Sequence, residues 1–200
     1  MEFVRRAGGS PRRLAVFPGT FNPVTAAHMA LATAALGVAD EVVFVLPREF
    51  PHKAYAGATF DERMAMLAEA MGNAPRLSLA SSRGGLFAEI AEECAADYGS
   101  GVRLSFLCGR DAAERVVNWD YGQPDGFAQL SRGFDLLVAA RGGSFEPQSR
   151  VTDRVQALEM PEEFDAFSAT EIRRRVVAGE PWRHMTPAAI WESVNRIYSR

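Results

Sequence analysis

The sequence predicts an α/β protein: a doubly wound, mostly parallel sheet with helices on both faces. Three observations lead there. The strand candidates are short and almost wholly apolar: Leu14 to Phe17, Glu41 to Leu46, Val102 to Cys108 and Phe134 to Ala140. A strand apolar at every position has both faces covered, which is the condition of a parallel sheet held between two helix layers. Helical stretches separate the strands, and that alternation is the pattern of βα units. No internal repeat or low-complexity tract interrupts it. One domain over 13–200, after a flexible N-terminal tail at 1–12, is the economical division.

Each element has its own signal. Leu14 to Phe17 ends at Pro18-Gly19, a strand running into a tight loop. Ala26 to Leu36 is rich in Ala, Leu and Met and stops at Gly37, a helix with a glycine C-cap. Pro47 closes the Glu41 to Leu46 strand. Thr59-Phe-Asp-Glu62 is a capping box for a helix whose Phe60, Met64, Leu67 and Met71 share one face. Arg76 to Ala80 reads as a short strand. Leu86, Ile90 and Cys94, four apart, mark a helix ending near Gly99, and Asp111 to Val117 a shorter one. Phe164 to Phe167 reads as a last strand before a helix from Ala169 to Ala178, stopped by Gly179. Pro187 opens the final helix. Ligands of such sheets bind at the carboxyl ends of the strands. The site is therefore expected in the loops after Phe17, Leu46, Cys108 and Ala140.

Composition narrows the function classes. The net charge of −3 gives no global basic field of the kind that holds nucleic acid. No apolar run reaches the roughly 18–20 residues that span a bilayer, and Met1 to Arg13 lacks the apolar core of a signal peptide. The two cysteines, Cys94 and Cys108, each lie in an apolar stretch, which suits buried thiols in a reducing compartment better than a disulfide. The expectation is a cytoplasmic protein with small-molecule partners, no nucleic acid and no membrane. Monomer and homo-oligomer both remain open.

Two segments carry the chemistry. Gly19-Thr-Phe-Asn-Pro-Val-Thr25-Ala-Ala-His28 joins the first strand to the first helix. It is not GxGxxG, so the usual dinucleotide fingerprint is absent. Its small residues and helix N-terminus nonetheless suit a phosphate. His28, one turn into the helix and on the face of Thr25, can donate a hydrogen bond to phosphate oxygens. A plainer account, a turn capped by Thr25 with His28 half buried, fits these residues equally well. Phe167-Ser-Ala-Thr-Glu-Ile-Arg173-Arg-Arg175 repeats the physics near the other end of the chain. Ser168 and Glu171 form a capping box at a positive helix end, and Arg173, a turn further on, can bring a guanidinium fork to an anion. A solvated basic face is the plainer account here.

Together the segments resemble the paired signatures of the nucleotidyltransferase superfamily, a GTFxP(x)(H/T)xxH loop and an (I/F)S(S/A)TxxR helix start. Within it the chain is similar to bacterial nicotinate- and nicotinamide-mononucleotide adenylyltransferases. Pro51-His52-Lys53 resembles their PPHK loop and Glu62 to Leu67 their ERxxML-like helix start. Gly109-Arg-Asp111 with Trp119 resembles their G-x-D segment and downstream Trp, and Phe167 to Gly179 their ending. The resemblance runs from about Leu14 onward. It implies a Rossmann-like fold and transfer of the adenylyl group of ATP, with Mg²⁺ carried on the ATP phosphates and no metal site built by the protein.

By position, it implies that Gly19, Thr20 and Phe21 lie along ATP. His28 would meet the α-phosphate, with Thr25 beside it, and Ser168, Thr170 and Arg173 the β- and γ-phosphates. Lys53 would sit near the phosphates, Gly109 would be among the ATP-binding residues, and Asp111 would accept from a ribose hydroxyl. His28, Thr25 and Arg173 form the expected catalytic set. Trp119 would lie against the pyridine of the acceptor; Asn22, Arg83 and Arg141 join it on the acceptor side. Arg83 and the backbone N–H groups of Gly84 and Gly85 offer donors to a nicotinate carboxylate.

Two departures stand out. Ala27 replaces the usual Gly before His28, and Ser81 to Phe87 replaces a Tyr-Thr-x-x-Thr-Leu-like start near the pyridine. The second keeps alive an enzyme of the superfamily with another phosphorylated acceptor, such as a pantetheine or sugar phosphate. A nucleotide-binding regulator without turnover is the third alternative. Without the family, Asp111 reads as a helix cap and Arg141-Gly-Gly as a plain turn as readily as ligand groups.

Overall fold

The structure is a computed structural model that describes residues 1–49, 57–117, 127, 131–140 and 152–199. Seven strands among the described residues form one sheet: β1 (Glu2–Arg5), β2 (Arg13–Pro18), β3 (Glu41–Pro47), β4 (Leu77–Ser82), β5 (Arg103–Gly109), β6 (Phe134–Ala140) and β7 (Val155–Glu159). Among the described residues there are six α-helices: α1 (Ala26–Ala35), α2 (Phe60–Met71), α3 (Phe87–Tyr98), α4 (Arg110–Val117), α5 (Ala169–Ala178) and α6 (Trp191–Tyr198).

The strand order is β1-β4-β3-β2-β5-β6-β7, parallel throughout except for β1. From β2 the chain winds outward through β3 to β4. It then returns to lay β5 on the other flank of β2 and winds the opposite way. The order reverses between β2 and β5, and a crevice at the carboxyl ends of the strands on either side of such a reversal is where α/β sheets hold ligands.

Side-chain alternation along the strands builds the two cores of a doubly wound sheet. Phe17, Phe44, Leu46, Leu79 and Leu107 face α1, α2, α5 and α6. Val16, Val43, Val45, Phe106 and Leu136 face α3 and α4. On the second face Phe87 stacks on Phe106 at 4.3 Å and Phe134 meets Phe106 edge-on at 4.7 Å. The α2 capping box forms as expected: Thr59 accepts from the Glu62 N–H at 3.2 Å, and Glu62 accepts from the Thr59 N–H at 2.8 Å. Thr59→Ala should lower the unfolding free energy by about 1 kcal/mol, read as a shift of the urea midpoint at unchanged slope.

Two expectations need correction. The first residues are not a loose tail: Glu2–Arg5 pairs antiparallel with β4 at the sheet edge. Phe3 packs edge-on against Tyr98, and Arg6 covers both rings. The Met1 ammonium bonds Asp97 and Glu93, and Glu2 bonds Arg48 and Ser81. The strand is held by backbone pairing and charge, so it shows no apolar run. The last strand among the described residues is β7, and the Phe164 to Phe167 stretch instead begins inside a 3₁₀ turn at Glu162–Phe164. As an edge strand β7 buries only Leu158, which leaves no apolar signal in Val-Gln-Ala-Leu-Glu.

Candidate active site

The loop after β2 is the most constrained backbone of the site. The Gly19 N–H donates to the Val45 carbonyl of β3 at 3.1 Å, tying the loop to the neighbouring strand. A Cβ on Gly19 would stand 2.8 Å from the ring of Phe21, so no other residue fits there unless that ring moves. Phe21 itself has φ +44°, a left-handed conformation uncommon outside glycine and costing of order 1 kcal/mol. Its buried ring meets Phe17 at 5.4 Å, Phe44 at 5.5 Å and His28 at 5.2 Å, all edge-on. The strained backbone is held by an aromatic cluster continuous with the core.

Thr25 and His28 then fix one another at the start of α1. The His28 N–H donates to Thr25 Oγ1 at 3.1 Å, and the Thr25 N–H donates to His28 Nδ1 at 2.9 Å. The reciprocal pair is a capping box with histidine in the place of glutamate. Because Nδ1 accepts, the neutral ring carries its proton on Nε2. The cap thereby sets the tautomer and makes Nε2–H the ring's donor. Ala27, in place of the family's glycine, is fully buried.

The second segment arrives from the far end of the chain. Ser168 caps α5 by accepting from the Glu171 N–H at 3.1 Å. The expected return bond is replaced: the Glu171 carboxylate takes Arg174 and Arg175 at 2.8 Å instead, which holds it well below the usual carboxylate range, at about 2. Arg174 also pairs with Glu180 at 2.6 Å. Arg173 turns the other way. Its Nη1 donates to the Asn22 carbonyl at 2.5 Å and its Nη2 to Thr170 Oγ1 at 3.4 Å. Segments 151 positions apart thus meet at one guanidinium.

Two more side chains hold the first loop, and the sequence reading assigned a role to neither. Arg63 of α2, only 3% exposed, donates to the Thr20 carbonyl at 2.9 Å and to the Thr59 carbonyl at 3.3 Å. Tyr198, at the end of α6, donates its hydroxyl to Asn22 Oδ1 at 2.6 Å in a buried contact. Arg63 stands in the ERxxML-like segment and on the apolar face of α2, three after Phe60 and four before Leu67, but neither feature pointed to the first loop. Tyr198 left no hint.

The remaining expected residues scatter more. Gly109 ends β5 and Asp111 stands exposed in the first turn of α4, beyond β5 on the other flank of β2. Since α4 begins at Arg110, Asp111 lies inside the helix rather than capping it. Arg83 is exposed at the carboxyl end of β4. Its backbone N–H donates to Glu93 at 2.9 Å and that of Leu86 to Glu89 at 3.1 Å. Lys53, Trp119 and Arg141 lie outside the described residues. Burial pushes the Cys94 and Cys108 thiols up to about 12, which removes them as nucleophiles near neutrality. A cavity of about 260 Å³ opens at the opposite, amino end of the strands, beside Arg13, Arg103, Asp135 and Arg154. There Asp135 is shared by Arg103 at 2.7 Å and Arg154 at 3.2 Å, and no catalytic candidate is near.

The fold is that of a Rossmann-like α/β protein, with the loop after β2 at the point where the strand order reverses. The chain matches the cytidylyltransferase-like family over residues 16–175 and belongs to it, as a nucleotidyltransferase enzyme. It is 31% identical over 187 residues to a probable nicotinate-nucleotide adenylyltransferase of Solibacter usitatus, covering 89% of this chain and 94% of that one. It is 31% identical over 203 residues to one of Treponema pallidum (strain Nichols), covering 91% and 96%. Among solved structures it resembles Plasmodium falciparum nicotinic acid mononucleotide adenylyltransferase complexed with NaAD. That match has a TM-score of 0.72 at 15% identity and covers 92% of this chain and 95% of that one, a likeness of fold.

Proposed function

We propose that this enzyme transfers the adenylyl group of MgATP to nicotinate or nicotinamide mononucleotide, forming the dinucleotide and pyrophosphate in NAD biosynthesis. One observation carries the reading: Arg173, a turn into the helix that Ser168 caps, donates to the carbonyl of Asn22 in the loop that leads to the His28 helix start. An oxygen of the acceptor phosphate attacks the α-phosphorus of ATP as the bond to the β-phosphate oxygen breaks. That nucleophile is already ionised, so no general base is needed, and catalysis comes down to positioning and charge stabilisation. His28 Nε2–H serves the α-phosphate, and Ser168, Thr170 and Arg173 the departing pyrophosphate. Gly19, Thr20 and Phe21 support the nucleotide, and Lys53 and Asp111 are assigned to the phosphates and ribose. Mg²⁺ would arrive on the ATP phosphates as part of the substrate.

The acceptor side is proposed as Asn22, Arg83, Trp119 and Arg141, with nicotinate preferred because the exposed guanidinium of Arg83 can fork a carboxylate. The names of the relatives point the same way. A second reading has one observation in its favour: Glu89 and Glu93 already occupy backbone donors of that loop, a setting that suits an uncharged acceptor group. Pyrophosphate release with MgATP and a panel of phosphorylated acceptors tests both. The specificity constants for the two mononucleotides should differ by about tenfold or more, a difference of roughly 1.4 kcal/mol, and Arg83→Ala should shrink that gap. Equal turnover of both removes the carboxylate argument. Turnover only of a different acceptor moves the enzyme elsewhere in its family.

A further inference from the structure

The strained residue of the site is held from three distant places. Phe21 lies between Thr20, whose carbonyl accepts from Arg63 of α2, and Asn22, whose carbonyl accepts from Arg173 of α5. The third hold comes from Tyr198 of α6 through the Asn22 side chain. A left-handed φ on a bulky residue persists only where its surroundings over-determine it. The Tyr198 ring is itself lodged: a Cβ on Gly57, at φ +102°, would stand 3.0 Å from it. Burial raises the phenol of Tyr198 above its ordinary range, so it remains protonated and keeps donating throughout the working pH range.

We propose that Tyr198 and Arg63 are positioning residues for nucleotide binding. They fix the backbone at Thr20 and Asn22, and so the direction in which Arg173 presents its fork, without touching the substrate themselves. The inference rests on reading this loop as the ATP loop. It brings the last helix of the chain into the machinery, although α6 carries no motif.

Calorimetric titration of the full-length protein with MgATP, without acceptor, tests it. Tyr198→Phe keeps the ring and removes only the hydroxyl, and should weaken MgATP binding by about tenfold, the scale of one lost buried hydrogen bond. In turnover the KM for ATP should rise in step with that loss of affinity. Arg63→Lys keeps the charge and loses the reach to two carbonyls, and should act in the same direction; it decides the matter if Tyr198→Phe does not fold. Ile197→Ala, a cut into the packing of the same helix, should lower Tm yet leave MgATP affinity intact. Folded Tyr198→Phe and Arg63→Lys variants that bind MgATP like wild type would overturn the proposal and leave the ATP reading standing. A wild-type protein that binds no MgATP would overturn both.

Discussion

His28→Ala should fold and yet lose about 10²–10³ in kcat, the usual consequence of removing one donor aimed at charge that develops in the transition state. The expectation follows from the reciprocal bonds at the start of α1. With Nδ1 held by the Thr25 N–H, the ring has one orientation and its N–H lies on Nε2. The substitution also removes half of the cap, so a stability loss of about 0.5–2 kcal/mol accompanies it. His28→Gln separates the two roles. Glutamine is a normal capping-box partner at that position and should restore the thermal midpoint, while the imidazole donor stays lost and turnover stays low. Turnover of either variant within a few-fold of wild type would mean that His28 only caps a helix, as the sequence alone equally allows.

How much of this was legible depended on what held each element in place. Strands β2, β3, β5 and β6 lie inside the sheet, and burial on both faces wrote itself into the sequence as apolar runs; their ends fall within about two residues of expectation. The two edge strands left no such record. Glu2–Arg5 is held by ladder pairing and by charge, and β7 buries one side chain. The site divides in the same way. Residues near the proposed chemistry, from Gly19 to His28 and from Ser168 to Arg173, sit at helix starts whose capping has a spacing that can be read. Arg63 and Tyr198 act through single long-range bonds to a loop carbonyl and a loop amide, and no local pattern encodes a contact 176 positions away. The proposed acceptor side was the hardest to read, because Ser81 to Phe87 replaces the family's motif and two of its backbone donors are taken by Glu89 and Glu93 of α3.

The arginines of α5 offer the second large effect, and the structure sharpens it. Three stand in a row, and sequence alone cannot separate a phosphate clamp from a solvated basic face. Arg174 is held between Glu171 and Glu180, and Arg175 by Glu171 and the Pro181 carbonyl, so both charges are spent within their own helix and its exit. Only Arg173 leaves the helix to meet the first loop. Arg173→Ala should therefore reduce kcat/KM for ATP by about two orders of magnitude, as expected for a charged group that binds the departing pyrophosphate. Arg173→Lys should recover little, because an ammonium lacks the rigid planar fork that holds the Asn22 carbonyl on one arm and aims its other N–H groups elsewhere. Arg175→Lys should leave ATP kinetics near wild type. It should cost only the few tenths of a kcal/mol that an exposed helix pair contributes. Steady-state kinetics of the three variants at saturating acceptor check this directly. Equal effects at 173 and 175 would return the whole segment to the solvated-face account, and with it the role assigned to the Ser168 helix start.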